Sequence, residues 1–184
     1  MLKRLAVSLV AITATLPALT AELAGVNVPD SVTVSGSTLV LNGVGLRKKA
    51  IFKVYVGALY VASRSNDPAA ILKADSARRM EMHFLRSVGR EKIAEAWREG
   101  FANNSSSELA ALQQRLDTFV GYFSDVAEGD VIAMTYAPGT GVTVEVRGIK
   151  AGTVAGKDFA DAVLRCWVGD TPPSAELKTG ILGK

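Results

Sequence analysis

A chain of 184 residues, 48% hydrophobic and 21% charged, has one domain's length and enough apolar side chains for a packed core, which excludes wholesale disorder. The formal charge of +3 hints at an anionic partner, but Lys3 and Arg4 supply two of the 21 cations from an N-terminal segment that holds no acid. The remainder carries 19 basic against 18 acidic residues, a near-neutral balance that offers no footprint for nucleic acid.

Residues 1–21, MLKRLAVSLVAITATLPALTA, read as a secretory signal. A basic start precedes an apolar run (residues 5–19) too short for a comfortable bilayer span, Pro17 breaks the helix, and small residues follow. Cleavage after Thr20 or after Ala21 fits, an uncleaved N-terminal anchor being the alternative. The expectation is a periplasmic protein whose single domain covers residues 22–184 and has no membrane span after processing. One cysteine, Cys166, rules out an intrachain disulfide, and one histidine, His83, with no clustered ligand spacing makes a zinc site or other metal unexpected. Any Ser-His-Asp or Cys-His centre would need His83, and no nucleophile-elbow pattern accompanies it. The residues ask for no cofactor.

Residues 26–34 read as one or two short strands with Pro29-Asp30 as a turn or bulge, and 39–46 as a strand carrying Gly43 and Gly45. The run AIFKVYVGALYVA at 50–62, rich in β-branched and aromatic residues and without helical spacing, is a further strand. A short helix over 67–73 has Pro68 in its first turn. Residues 78–88 alternate, with Met80, Met82 and Phe84 against Arg79, Glu81 and His83, as a strand with one apolar face does. Ile93, Trp97 and Phe101 share one face of a helix over 91–103. Ser105-x-x-Glu108 then reads as a capping box opening a second helix, with a buried stripe from Leu109 to Phe123. Strands at 130–136 and 142–147 flank Pro138-Gly139-Thr140-Gly141 as a hairpin. A helix over 158–168 buries Phe159, Ala162, Val163, Cys166 and Trp167, and Ser174 starts a terminal helix ending at Gly180. Hairpin-joined strands with helices in blocks make the class α+β with an antiparallel sheet.

Four stretches in order, LNGVGLRKKAIFKVYVGALYVAS, REKIAEAWREGF, MTYAPGTGVTVEV and FADAVLRCWVGDTPPSAELKTGILG, resemble corresponding segments of the chalcone isomerase-like superfamily, over about residues 25–184. The set is most similar to that superfamily's bacterial exported branch. The resemblance implies an open-faced β-sandwich, an antiparallel sheet covered on one side by helices, with a ligand cleft between sheet and helices.

The same resemblance places the family's cleft arginine on Arg47, after the Gly-x-Gly turn, and its strand threonine on Tyr55. In the fatty-acid-binding members that position is also a tyrosine, acting with the arginine on a carboxylate. The catalytic tyrosine and asparagine of the true enzymes fall on Gly89 and Ala96, and the polar residue of the late helix on Cys166. Chalcone cyclisation needs donors where charge builds in the transition state, and Gly89 and Ala96 carry none. A guanidinium and a phenol together suit a carboxylate. The implied function is therefore a non-catalytic binder of a fatty acid or similar apolar carboxylate, with Arg47 and Tyr55 as ligand-binding residues. An isomerase (intramolecular lyase) of chalcone type, or an envelope structural or interaction protein, stands as the alternative.

Bland readings stand beside the sharp ones. Arg47 reads by itself as a solvated strand-end charge, and Tyr55 as a half-buried strand aromatic. Cys166 shares its face with Phe159, Ala162 and Val163, which favours a core thiol. His83 falls on the polar side of its strand as a surface or network histidine. Gly43-Val44-Gly45 is no nucleotide loop, because a strand follows and the third glycine is absent.

Overall fold

The computed structural model describes residues 20–184. The apolar run 5–19 of the expected signal lies outside the described residues. Thr20 and Ala21, which border the two expected cleavage positions, fall in the first strand.

The elements follow as β1 (Thr20–Leu23), β2 (Val26–Pro29), β3 (Ser31–Val34), β4 (Ser37–Lys49), β5 (Phe52–Val61), α1 (Pro68–Lys73), β6 (Arg78–Phe84), α2 (Arg90–Asn104), α3 (Leu109–Val120), β7 (Val131–Ala137), β8 (Gly141–Val146), β9 (Ile149–Val154), α4 (Lys157–Val168) and α5 (Ala175–Ile181). Strands β3 to β9 form one antiparallel sheet in chain order, and β1 pairs with β2 as a separate ribbon. No helix among the described residues is long and apolar enough to cross a membrane.

Alternation decides what each sheet face meets. Leu59 on β5, Met80, Met82 and Phe84 on β6, and Ile132 and Met134 on β7 join the main core with residues of all five helices. Val28, Leu39, Leu41, Ala58 and Tyr60 form a second cluster on the opposite face. The helices therefore cover one side of the sheet, as the expected α+β class requires.

Three expectations are corrected. Ser105 does not open α3: its N–H donates to Phe101 O at 2.8 Å, closing α2, and its hydroxyl accepts from Arg165 Nε at 3.1 Å. Glu108 pairs with Arg165 instead of capping, so a tertiary partner outcompetes the local box. A strand absent from the sequence reading, β9, adds to β8 through the two-residue turn Arg147-Gly148, both residues at positive φ. The Gly-x-Gly segment is no turn. It lies inside β4, and the chain reverses later, at Ala50-Ile51.

The glycines of that segment exist for close packing. A Cβ on Gly45 would sit 2.4 Å from Leu177 O, and one on Gly43 2.2 Å from Gly180 O. Only bare backbone lets α5 lie this close to β4.

Candidate functional site

A β-bulge orients the candidate arginine. Leu41 pairs with Tyr60 and Gly43 with Leu59, so Asn42 is the extra residue on β4. Leu39 and Leu41 point to the outer cluster; past the bulge the parity flips, and Gly43, Gly45 and Arg47 face the helices. Asn42 is buried and holds the bulge: its Nδ2 donates to Ile181 O at 2.8 Å and its Oδ1 accepts from Ser65 N at 2.8 Å.

Arg47 then stands directly opposite Tyr55 across the β4–β5 ladder. The two residues the sequence selected are cross-strand neighbours on one face. Tyr55 is buried, 6% exposed, with its ring 5.8 Å from Phe84 and its hydroxyl accepting from Trp167 Nε1 at 3.0 Å. Burial pushes its pKa up to about 12, against the opposing pull of the Trp167 hydrogen bond and the Arg47 charge. The phenol therefore keeps its proton at neutral pH, which leaves it able to donate a hydrogen bond. Arg47 is half-buried, donates through Nη1 to Lys48 O, and has no carboxylate within ion-pair distance among the described residues.

Behind Tyr55 the interior is aromatic. Trp167 meets Trp97 edge-on at 5.1 Å, and Trp97 packs on Phe119 and Phe123. The space expected as a cleft is thus filled by side chains at this point. A cavity of about 20 Å³, room for one water, lies farther along, between Leu59, Met80, Met134, Tyr136 and α4. Neither this cavity nor the solvent-open groove by Asn42, Arg64 and Leu182 touches Arg47 or Tyr55.

Sequence reasoning missed Arg78 at that cavity. The residue is 5% exposed; Nη2 donates to Asp161 Oδ1 at 2.6 Å, the guanidinium lies 4.7 Å over the Tyr136 ring, and Nη1 has no hydrogen-bond partner among the described residues. Lys157 Nζ reaches Asp161 Oδ2 at 2.6 Å, and Tyr136 donates to Asp75 at 2.5 Å. The signal was present: Arg78 is in phase with Met80, Met82 and Phe84, on the face that turns inward.

The remaining candidates fall as follows. Gly89 and Ala96 are both exposed, and α2 turns Ile93, Ala94, Trp97 and Phe101 inward. Cys166 is buried against Gly100, its thiol driven up by burial, so it packs as a core residue. His83 Nε2 donates to Glu81 at 3.0 Å, inside a network with Arg79, Thr135 and Glu145 on the outer sheet face.

Compared with known proteins, residues 20–183 match a family model described as chalcone isomerase-like. The crystal structure of a fatty-acid-binding protein from Arabidopsis thaliana superposes with a TM-score of 0.69 at 18% identity, covering 89% of this chain and 96% of that one. No curated protein matches the chain.

Proposed function

The chain belongs to the chalcone isomerase-like family, and on that premise we propose that it is an exported, non-catalytic binder of a fatty acid or similar apolar carboxylate. One observation carries the reading: Arg47 and Tyr55 face each other across β4 and β5 as a guanidinium with no carboxylate partner among the described residues and a protonated phenol. Their donors match the two oxygens of a carboxylate, and the aromatic residues behind Tyr55 match an alkyl chain. The fatty-acid-binding neighbour supports the ligand class. Export rests on Lys3, Arg4 and the apolar run that follows. The apolar inward face of α2 speaks for binding over cyclisation, since it brings no side-chain donor beyond the Trp97 indole to a developing oxyanion.

Because side chains fill the space beside Tyr55, the acyl chain enters by displacing Trp167 or the packed end of α5. Binding is then coupled to a local opening, and apparent affinity is lowered by the cost of that opening.

The test is titration of a fluorescent fatty acid against wild type, Arg47→Ala, Arg47→Lys and Tyr55→Phe, with thermal melts of each. A charge-assisted hydrogen bond contributes about 1.5–3 kcal/mol, so Arg47→Ala weakens binding about 10- to 150-fold. Arg47→Lys restores part of it, and Tyr55→Phe loses a few-fold to about tenfold. Absence of saturable binding by wild type, or a folded Arg47→Ala that binds equally well, refutes the proposal.

A further inference from the structure

One end of the large sheet gathers the three large apolar side chains that the described residues leave in solvent. Ile51 is 87% exposed and Phe52 53% at the β4–β5 tip, and Ile149 is 72% exposed at the β8–β9 turn. The register sets both turns on one rim: Tyr55 pairs with Phe84, His83 with Val131, Ile132 with Val146, and Val146 with Ile149. Four strand spacings separate Phe52 on β5 from Ile149 on β9, roughly 19 Å.

Cations surround the first tip. Lys49 and Lys53 are exposed beside it, and Lys48 is paired with Glu176. The Arg86 guanidinium lies 4.5 Å over the Phe52 ring and holds it at the rim. Arg147 and Lys150 flank Ile149. Apart from Glu176, the acids of this rim sit between the tips: Asp130 is paired with Arg147, Asp125 accepts from Arg90 N, and Glu128 is exposed. Positive charge is thus concentrated on the β4–β5 hairpin.

The turn itself departs from solvent chemistry. Ala24-Gly25, Ser35-Gly36 and Arg147-Gly148 each follow a residue at positive φ with a glycine, whereas the β4–β5 turn follows Ala50, at φ 53, with exposed Ile51. Water-facing turns favour Gly, Asn, Asp and Ser, so an exposed isoleucine at this turn position departs from that chemistry.

We propose that this rim docks on an anionic lipid bilayer, with Ile51 and Phe52 entering the interface while Lys49, Lys53 and Arg86 meet headgroup phosphates. A protein interface needs about 800 Å² on each partner, more than a protruding two-residue tip supplies. A membrane interface needs only a few apolar side chains set among basic ones. This goes beyond the carboxylate reading and does not depend on it.

Co-sedimentation of the full chain with phosphatidylglycerol-containing vesicles, and with phosphatidylcholine vesicles alone, tests the proposal. Wild type should bind the anionic vesicles preferentially and release as salt rises. Ile51→Ser with Phe52→Ser should reduce partitioning at least about tenfold. Lys49→Glu or Lys53→Glu should reduce it about fivefold or more. All these positions are exposed, so circular dichroism should show folded variants. Failure of wild type to sediment with anionic vesicles overturns the proposal, as does undiminished binding by the double serine variant. So does a dimer, seen by analytical ultracentrifugation, that the double variant dissolves, because a second copy would then occupy the tip.

Discussion

Replacing Asp161 by alanine leaves the Arg78 guanidinium buried with only the Tyr136 ring for company, since Nη1 has no partner and Nη2 loses its 2.6 Å hydrogen bond. Breaking a buried pair from one side costs about 3–5 kcal/mol, because an uncompensated charge remains in a medium of low dielectric. Asp161 keeps 18% side-chain exposure, and Lys157 retains Leu72 O at 2.7 Å, so the low end applies: about 3 kcal/mol. For a chain of this length that is a fall in Tm of about 6–12 °C. Arg78→Met removes the charge together with its orphaned nitrogen and leaves Asp161 bound to Lys157, so its stability should lie within about 1 kcal/mol of wild type. The double variant should be more stable than Asp161→Ala alone. Urea denaturation of the four proteins measures the cycle. A loss under 1 kcal/mol for Asp161→Ala, or an equal loss for Arg78→Met, refutes this account.

Two further outcomes follow from geometry already described. Gly45→Ala places a methyl 2.4 Å from a backbone oxygen and 3.0 Å from a backbone Cα, so α5 must shift; about 3 kcal/mol or more should be lost in urea, and an unchanged midpoint contradicts the packing. Burial raises the Glu81 carboxyl, but hydrogen bonds from His83 and Arg79 and the charges of both outweigh it and hold the pKa below its ordinary value. A depressed carboxyl stabilises the fold above its unfolded value of about 4.3 and loses that contribution as pH falls through the lower native value. The stability gap between wild type and Glu81→Gln should therefore close below about pH 4 in pH-resolved melts.

Much of this architecture was legible because binary patterns survive folding. The alternation of β6 and the stripe of α3 reappear as buried faces, and Pro138-Gly139-Thr140-Gly141 reappears as a turn. What escaped depended on distant partners or on weak local chemistry. Ser105 fits a capping box locally, but Arg165, sixty residues on, takes its hydroxyl. Strand β9 is an edge strand with Lys150 and Ala151 exposed, so it lacks the apolar alternation that marks a half-buried strand. At the candidate site, residue types were readable from the family resemblance, whereas the orientation of Arg47 was not. Asn42-Gly43 carries the sequence signal of a turn and is in fact a bulge, and that one extra residue sets which way Arg47 points.

The joint between α5 and β4 has a consequence for the order in which the molecule is completed. Every strand of the large sheet pairs with its chain neighbour, and the tight hairpins β3–β4, β4–β5, β7–β8 and β8–β9 can close early and locally. Gly43 and Gly45, by contrast, wait for Gly180 and Leu177 near the end of the chain, and Tyr55 waits for Trp167. Loop closure over that separation comes after the local pairings. During synthesis, Arg47 and Tyr55 therefore acquire their surroundings only when the last two helices emerge, and a chain cut short before them lacks the partners that enclose this pair.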